Sequence, residues 1–171
     1  MQFEVENLEE VKQSLEKQVV LITQKTRRLM SRLADIGIRE ADINFRYAQY
    51  DGTNDVEVAP APQWISETEL EVRASGTAVL FIEFGAGVFY SEPHPVANLV
   101  MARGTYGQGK GGTGKPWTYY GEAGTNGEYV TTREKGDVYR TKGNPANRSM
   151  YDAAQEMRRS IAEIAREVFA E

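Results

Sequence analysis

The chain has 171 residues, with 20 basic and 25 acidic side chains for a net charge of −5, and no cysteine. That length suits one domain, residues 1–171, able to bury a core without staples, and the missing thiols exclude disulfides, a cysteine nucleophile and thiolate-bound metal. The single histidine, His94, stands between Pro93 and Pro95, a poor setting for a catalytic dyad or a histidine metal site, and no apolar run approaches the ~18 residues of a membrane span.

Charge is unevenly spread. Residues 1–37 balance, residues 38–102 carry three basic and ten acidic groups, and residues 103–148 carry eight basic and four acidic ones. The acidic region and the basic segment can pair with each other or with neighbouring copies, or can simply be solvated.

The first predicted element is a long helix. Leu8, Val11, Leu15, Val19, Ile22, Leu29, Leu33 and Ile36 recur at helical spacing, with Thr26 bridging one gap. Asn7 is its expected N-cap and Gly37 its expected stop. Lys25, Arg27, Arg28 and Arg32 fill the second half, favourable near the negative end of the helix dipole, and read as a solvated face rather than a nucleic-acid patch.

Short strands are expected next. Ile43, Phe45 and Tyr47 alternate with polar or small residues, Asp51-Gly52 offers a turn, and Val56 and Val58 begin a strand that Pro60 and Pro62 interrupt. Leu70, Val72 and Ala74 alternate with charged residues and should pair through a tight hairpin with the apolar run of Thr77–Phe84. A two-residue loop sets Leu70 beside Phe81. A three-residue loop with Gly76 left-handed sets it beside Leu80 and is preferred. The 77–84 run reads as the central strand, with Leu80 and Ile82 in the core and Glu83 at solvent or a subunit interface.

From Arg103 to Arg148 the character changes: eleven of the sixteen glycines lie here, with Tyr106, Trp117, Tyr119, Tyr120, Tyr129 and Tyr139 and few aliphatic side chains. Such a segment is too long for an ordinary loop and too aromatic for a plain linker. It either forms an extended hairpin through Trp117–Tyr120 and Tyr129–Thr132 or orders only against a partner. Its composition suits a contact surface, with Trp117, Tyr119 and Tyr120 as anchors and Arg133, Lys135, Arg140 and Lys142 selecting an acidic neighbour. A final helix is capped by Asn147 or Ser149 and carries the apolar stripe Met150, Ala153, Ala154, Met157, Ile161, Ile164, Ala165 and Val168. The expected plan is α+β: an antiparallel sheet of about four strands with both terminal helices on one face and a long glycine-rich insertion at 103–148.

No catalytic constellation stands out. Gly109–Lys115 matches the start of a phosphate-binding loop, but Pro116 replaces the magnesium-binding hydroxyl and opposes the helix that should follow. Glu83 is the most tempting catalytic carboxylate, yet neither Glu92 nor Glu122 has a context that makes it a second one. No cofactor and no metal are expected.

Three segments nevertheless carry a resemblance: Ile82-Glu83-Phe84-Gly85-Ala86-Gly87, Trp117-Thr118-Tyr119-Tyr120-Gly121, and Thr141-Lys142-Gly143-Asn144-Pro145-Ala146-Asn147 leading into the last helix. In this order, across nearly the whole chain, they resemble the neck or tail-completion family of minor structural proteins from long-tailed bacteriophages and prophages. Where that family carries a Pro-Phe-Met-like start to the last helix, this chain has Arg148-Ser149-Met150. The resemblance implies a non-catalytic subunit that forms a ring with copies of itself and joins connector or adaptor to tail tube or terminator. It further implies assembly in the host cytoplasm, then residence in the virion without membrane contact, with DNA passing the lumen unread. From another class, a tail-associated cell-wall hydrolase or glycan-binding module would use Glu83 and the exposed aromatics.

Overall fold

The computed structural model describes residues 7–48, 54–85, 95, 116–121 and 127–170. They are mixed helix and strand: a long N-terminal helix, small antiparallel sheets and a C-terminal helix. Neither these helices nor any other described one is long and apolar enough to cross a membrane.

Helix α1 runs Leu8–Arg46, 39 residues, or roughly 58 Å at 1.5 Å per residue. The expected stop at Gly37 and the expected strand at Ile43–Tyr47 are both corrected, because the helix continues through them. Its buried residues in this part are Ala34, Gly37, Ala41 and Phe45, spaced three and four apart, so the apparent alternation of Ile43, Phe45 and Tyr47 hides a helical stripe. Gly37 is a point of close approach rather than a terminator. A Cβ there would collide with Sδ of Met157 on the C-terminal helix. The helix ends instead at Tyr47, and the Phe45 carbonyl accepts from the Asn54 side-chain amide at 2.8 Å and from the Ala48 amide at 3.4 Å. At the other end Asn7 has φ 73° and its side chain makes no capping bond.

Two short ladders follow. β1 (Glu57–Val58) pairs with β4 (Ala74–Ser75), and β2 (Gln63–Trp64) pairs with β3 (Leu70–Glu71), all antiparallel. Together they make one interrupted ribbon, with the Ala59 amide donating to Arg73 O at 2.9 Å between the ladders. Pro60 and Pro62 fall in the interruption, where their missing N–H groups cost no ladder bond. The Leu70–Ala74 segment therefore pairs with residues 57–64 and not with 77–84.

The 77–84 run is helical. α2 spans Val79–Phe84, and Asp55 starts it from 22 residues away. Its Oδ2 accepts from the Thr77 amide and hydroxyl, each at 2.7 Å, and its Oδ1 accepts from the Ala78 amide at 2.9 Å. Those bonds, the Thr77 hydroxyl first, lower the Asp55 pKa from 3.8 to about 2. The helix inverts the expected facing: Leu80 is 40% exposed, whereas Glu83 is 5% exposed.

Further along, β5 (Trp117–Tyr120), β6 (Glu128–Arg133) and β7 (Gly136–Thr141) form an antiparallel sheet in the order β5-β7-β6. Sixteen residues of the expected 103–148 insertion are thus in strands. The two strands foreseen in it do not pair directly, because β7 lies between them. Helix α3 (Ser149–Ala170) then returns antiparallel along the second half of α1. Arg32 meets Glu167, and Lys25 Nζ donates to Phe169 O at 3.3 Å. At the opposite end of this pair the core gathers Ala41, Phe45, Ala78, Ile82 and Ala153, with Val56, Val58, Ala74, Val79 and Met150 around it. Of the expected α3 stripe, Ala153, Ile164 and Val168 are buried, while Ile161 is largely exposed.

Candidate functional site

Two features gather the residues that the sequence singles out. The first is a junction where the end of α2, the segment 144–148 and the start of α3 meet. A helix N-terminus leaves its first amides without partners inside the helix, and here the missing acceptor is Glu83. Its Oε2 accepts from the Met150 amide at 2.7 Å and its Oε1 from the Tyr151 amide at 3.0 Å. A carboxylate at that end also complements the helix dipole. The backbone fastens the same contact, with Asn147 N donating to Ile82 O at 2.8 Å and Arg148 N to Glu83 O at 3.1 Å.

Asn147 and Ser149, the expected caps, serve another seam. The Asn147 amide donates to Asn44 O at 3.0 Å and to Ser149 Oγ at 2.7 Å, tying the start of α3 to the end of α1. Gly85 completes the junction with φ 73° and ψ 178°, backbone open essentially to glycine alone. A Cβ there would sit 2.5 Å from Ala146 N and 2.8 Å from Asn144 O. The Glu83-Phe84-Gly85 and Asn144-Pro145-Ala146 segments, both part of the family resemblance, are therefore in direct contact. Glu83 corrects its expected position on two counts: it lies on a helix, not a strand, and it is buried within the subunit rather than facing solvent or an interface.

The second feature is the three-stranded sheet, which brings together all seven loop residues expected at an interface. Tyr119 stands opposite Tyr139, which stands opposite Tyr129, so three tyrosines line up across the three strands. Tyr139 sits 5.9 Å from each neighbour by ring centroids, tilted against Tyr119 and edge-on to Tyr129, within the favourable range for aromatic pairs. Alternation along β5 puts Trp117 on the same face. Thr132 belongs there too, its hydroxyl donating to Asp137 Oδ1 at 2.6 Å and lying 2.9 Å from the Tyr129 hydroxyl.

Tyr120, Arg140 and Arg133 fall on the other face by the same alternation, with a register shift between Tyr129 and Thr131 taken into account. Lys135 lies in the β6–β7 turn and Lys142 just past β7, and all four basic groups are exposed. The expected anchors thus divide: Trp117 and Tyr119 on an aromatic face, Tyr120 among the cations. Tyr139 and Tyr129, which complete the aromatic face, were visible in the sequence only as loop aromatics. The alternation Asp137, Val138, Tyr139, Arg140 was the available signal for β7.

The α1 cluster is engaged inside the chain, Arg27 lying 5.0 Å over the Trp64 ring and Arg32 pairing with Glu167. Among the described residues no group of three or more histidine, cysteine or acidic side chains could hold a metal ion. His94, Glu92, Glu122 and the Gly109–Lys115 stretch lie outside the described residues. No family model, curated protein or solved structure matches the chain.

Proposed function

We propose that the chain is a structural virion protein of the head–tail junction, a neck or tail-completion subunit that forms a ring and joins connector to tail by protein contacts. The observation that carries this reading is the junction itself. Two short segments of the resemblance, 62 residues apart from Glu83 to Pro145, prove to be halves of one contact, with a glycine required at its centre. The resembling segments therefore hold the fold together, and Glu83 spends both its oxygens on that contact. The sheet supports it further, since it exposes Tyr120, Tyr129, Arg133 and Arg140, and tyrosine and arginine dominate protein–protein contacts. In the ring, this sheet meets the acidic 54–75 ribbon of the next copy, and DNA passes the lumen without being read. Residence is the host cytoplasm during assembly and the virion afterwards.

The test is incorporation. Particles assembled with Trp117→Ala/Tyr119→Ala subunits are expected to lose head–tail joining. Normal joining and normal subunit copy number would sink the proposal.

One observation favours a second reading, a glycan-binding module of a tail. Trp117, Tyr119, Tyr139 and Tyr129 share one face beside Asp137 and Thr132, a row of half-buried to exposed aromatic rings with hydrogen-bonding groups beside it. Glu83 adds nothing to a hydrolase version, since both its oxygens are taken by amides. Sedimentation of the protein with purified cell-wall sacculi, lost in Tyr139→Ala, would favour the glycan module over the neck subunit.

A further inference from the structure

We propose that the N-terminal third of α1 is a docking surface for a second copy of this chain, the two helices pairing antiparallel about a two-fold axis at Leu15. This goes beyond the head–tail reading and is independent of it, because a ring contact is head-to-tail whereas this one is isologous. It describes the free subunit.

Residues 8–24 project past the end of α3, which finishes at Ala170 beside Lys25. Leu8, Val11, Leu15, Val19 and Ile22 form one stripe along this projection, and each is 52–63% exposed. Leucine, valine and isoleucine at helical spacing, exposed and with no described residue packed over them, form a seam that suits a partner. Val20 and Leu21, also exposed, lie to either side of it.

The spacing selects the partner. Leu8 and Ile22 lie seven residues on either side of Leu15, and Val11 and Val19 lie four on either side. An antiparallel copy centred on Leu15 therefore sets Leu8 against Ile22, Val11 against Val19, and Leu15 against itself, with no polar residue opposite an apolar one. Charge agrees. Lys12 and Glu16 occupy the same flank of the stripe, and antiparallel pairing brings each copy's Lys12 to within roughly 3 Å along the axis of the other's Glu16, making two reciprocal ion pairs. A parallel pairing sets that flank against the opposite one, which carries Ser14 and Gln18, and forms no such ion pair. The antiparallel arrangement also sends the two folded bodies to opposite ends of the rod. A seam this short falls below about 1,200 Å² in total, the range of transient contacts, so the dimer dissociates on dilution.

The absence of native cysteine makes the test clean. Sedimentation equilibrium of the full chain should show a reversible monomer–dimer transition, the dimer having twice the 19.2 kDa chain mass. Leu15→Glu buries two like charges at the axis and should weaken association by at least about tenfold, with helical circular dichroism unchanged because Leu15 is exposed in the monomer. Ile161→Glu, on exposed α3 surface, should leave association unaltered. A short bismaleimide should link Leu15→Cys copies but not Leu8→Cys copies, whose sulfurs lie roughly 21 Å apart along the antiparallel rod. A chain that stays monomeric at all concentrations, an association indifferent to Leu15→Glu, or efficient linking through Leu8→Cys would each overturn the proposal.

Discussion

Helix α1 passes through two environments that its apolar pattern alone does not distinguish. In its second half, small residues at Ala34, Gly37 and Ala41 let α3 approach closely, and Phe45 fills the core beyond them. In its first third the stripe is built from larger side chains, Leu8, Leu15 and Ile22, and stays exposed. Burial separates the two more than side-chain size does, since Leu33, Ile36 and Phe45 also line the packed half. Small residues at Gly37 and Ala41 allow close approach where the helices touch, whereas an exposed apolar stripe that no described residue covers suits contact with another molecule. The junction around Glu83 belongs to the first environment, because it locks α2 and α3 onto the packed end of α1.

The comparison can be broken most forcefully at the packed end. Phe45→Ala or Ile82→Ala should destabilise the fold by about 2–5 kcal/mol in chemical denaturation, as buried large-to-small changes do. Leu80→Ala, two residues from Ile82 but exposed, should stay within about 1 kcal/mol. Equal costs for Leu80 and Ile82 would mean that α2 faces the other way.

Gly85→Ala should cost about 1–3 kcal/mol through its backbone conformation alone, and the added methyl meets backbone atoms of Asn144 and Ala146 that cannot swing aside. Glu83→Gln should cost about 1–3 kcal/mol, because one of the two α3 amides then faces an NH2 group instead of an oxygen. Thermal melts of both variants check the junction, and a neutral Glu83→Gln would remove the carboxylate cap from the explanation.

Asp55 gives a smaller effect with a definite pH signature. Its folded pKa is lowered from 3.8 to about 2 by the Thr77 hydroxyl, then the Thr77 and Ala78 amides. The ionised form is therefore favoured in the folded state, and its contribution is complete above pH 3.8 and lost as the pH falls through about 2. Asp55→Asn should lower Tm at neutral pH, with the gap to wild type narrowing across that window. A gap that stays constant down to pH 2 would count against the cap.

Much of this arrangement was legible in the sequence. The stripes of α1 and α3 announced both helices, and the prolines at 60 and 62 announced the break in the ribbon. What could not be read locally was settled by distant groups. The five-residue apolar run from Ala78 to Ile82 has no periodicity to choose between strand and helix, and the choice falls to Asp55, 22 residues upstream. Glu83 gave no local sign of its role, since the amides it caps lie 67 and 68 residues away. Gly37 carried a stop signal that the Met157 contact overrides. The β7 strand, by contrast, carries a local signal in the alternation of Asp137, Val138, Tyr139 and Arg140, set within a glycine-rich stretch that weakens it.

The division of α1 is tested most directly by hydrogen exchange of its backbone amides at two protein concentrations. Amides of residues 30–46 should exchange slowly and equally at both, protected by α3 and the core. Amides of residues 12–24 should exchange quickly in dilute solution and slow as the concentration rises, because no described residue covers this stretch and a second molecule would. Strong protection of residues 12–24 in dilute solution, or protection that ignores concentration, would contradict the separation of a packed half from a docking half.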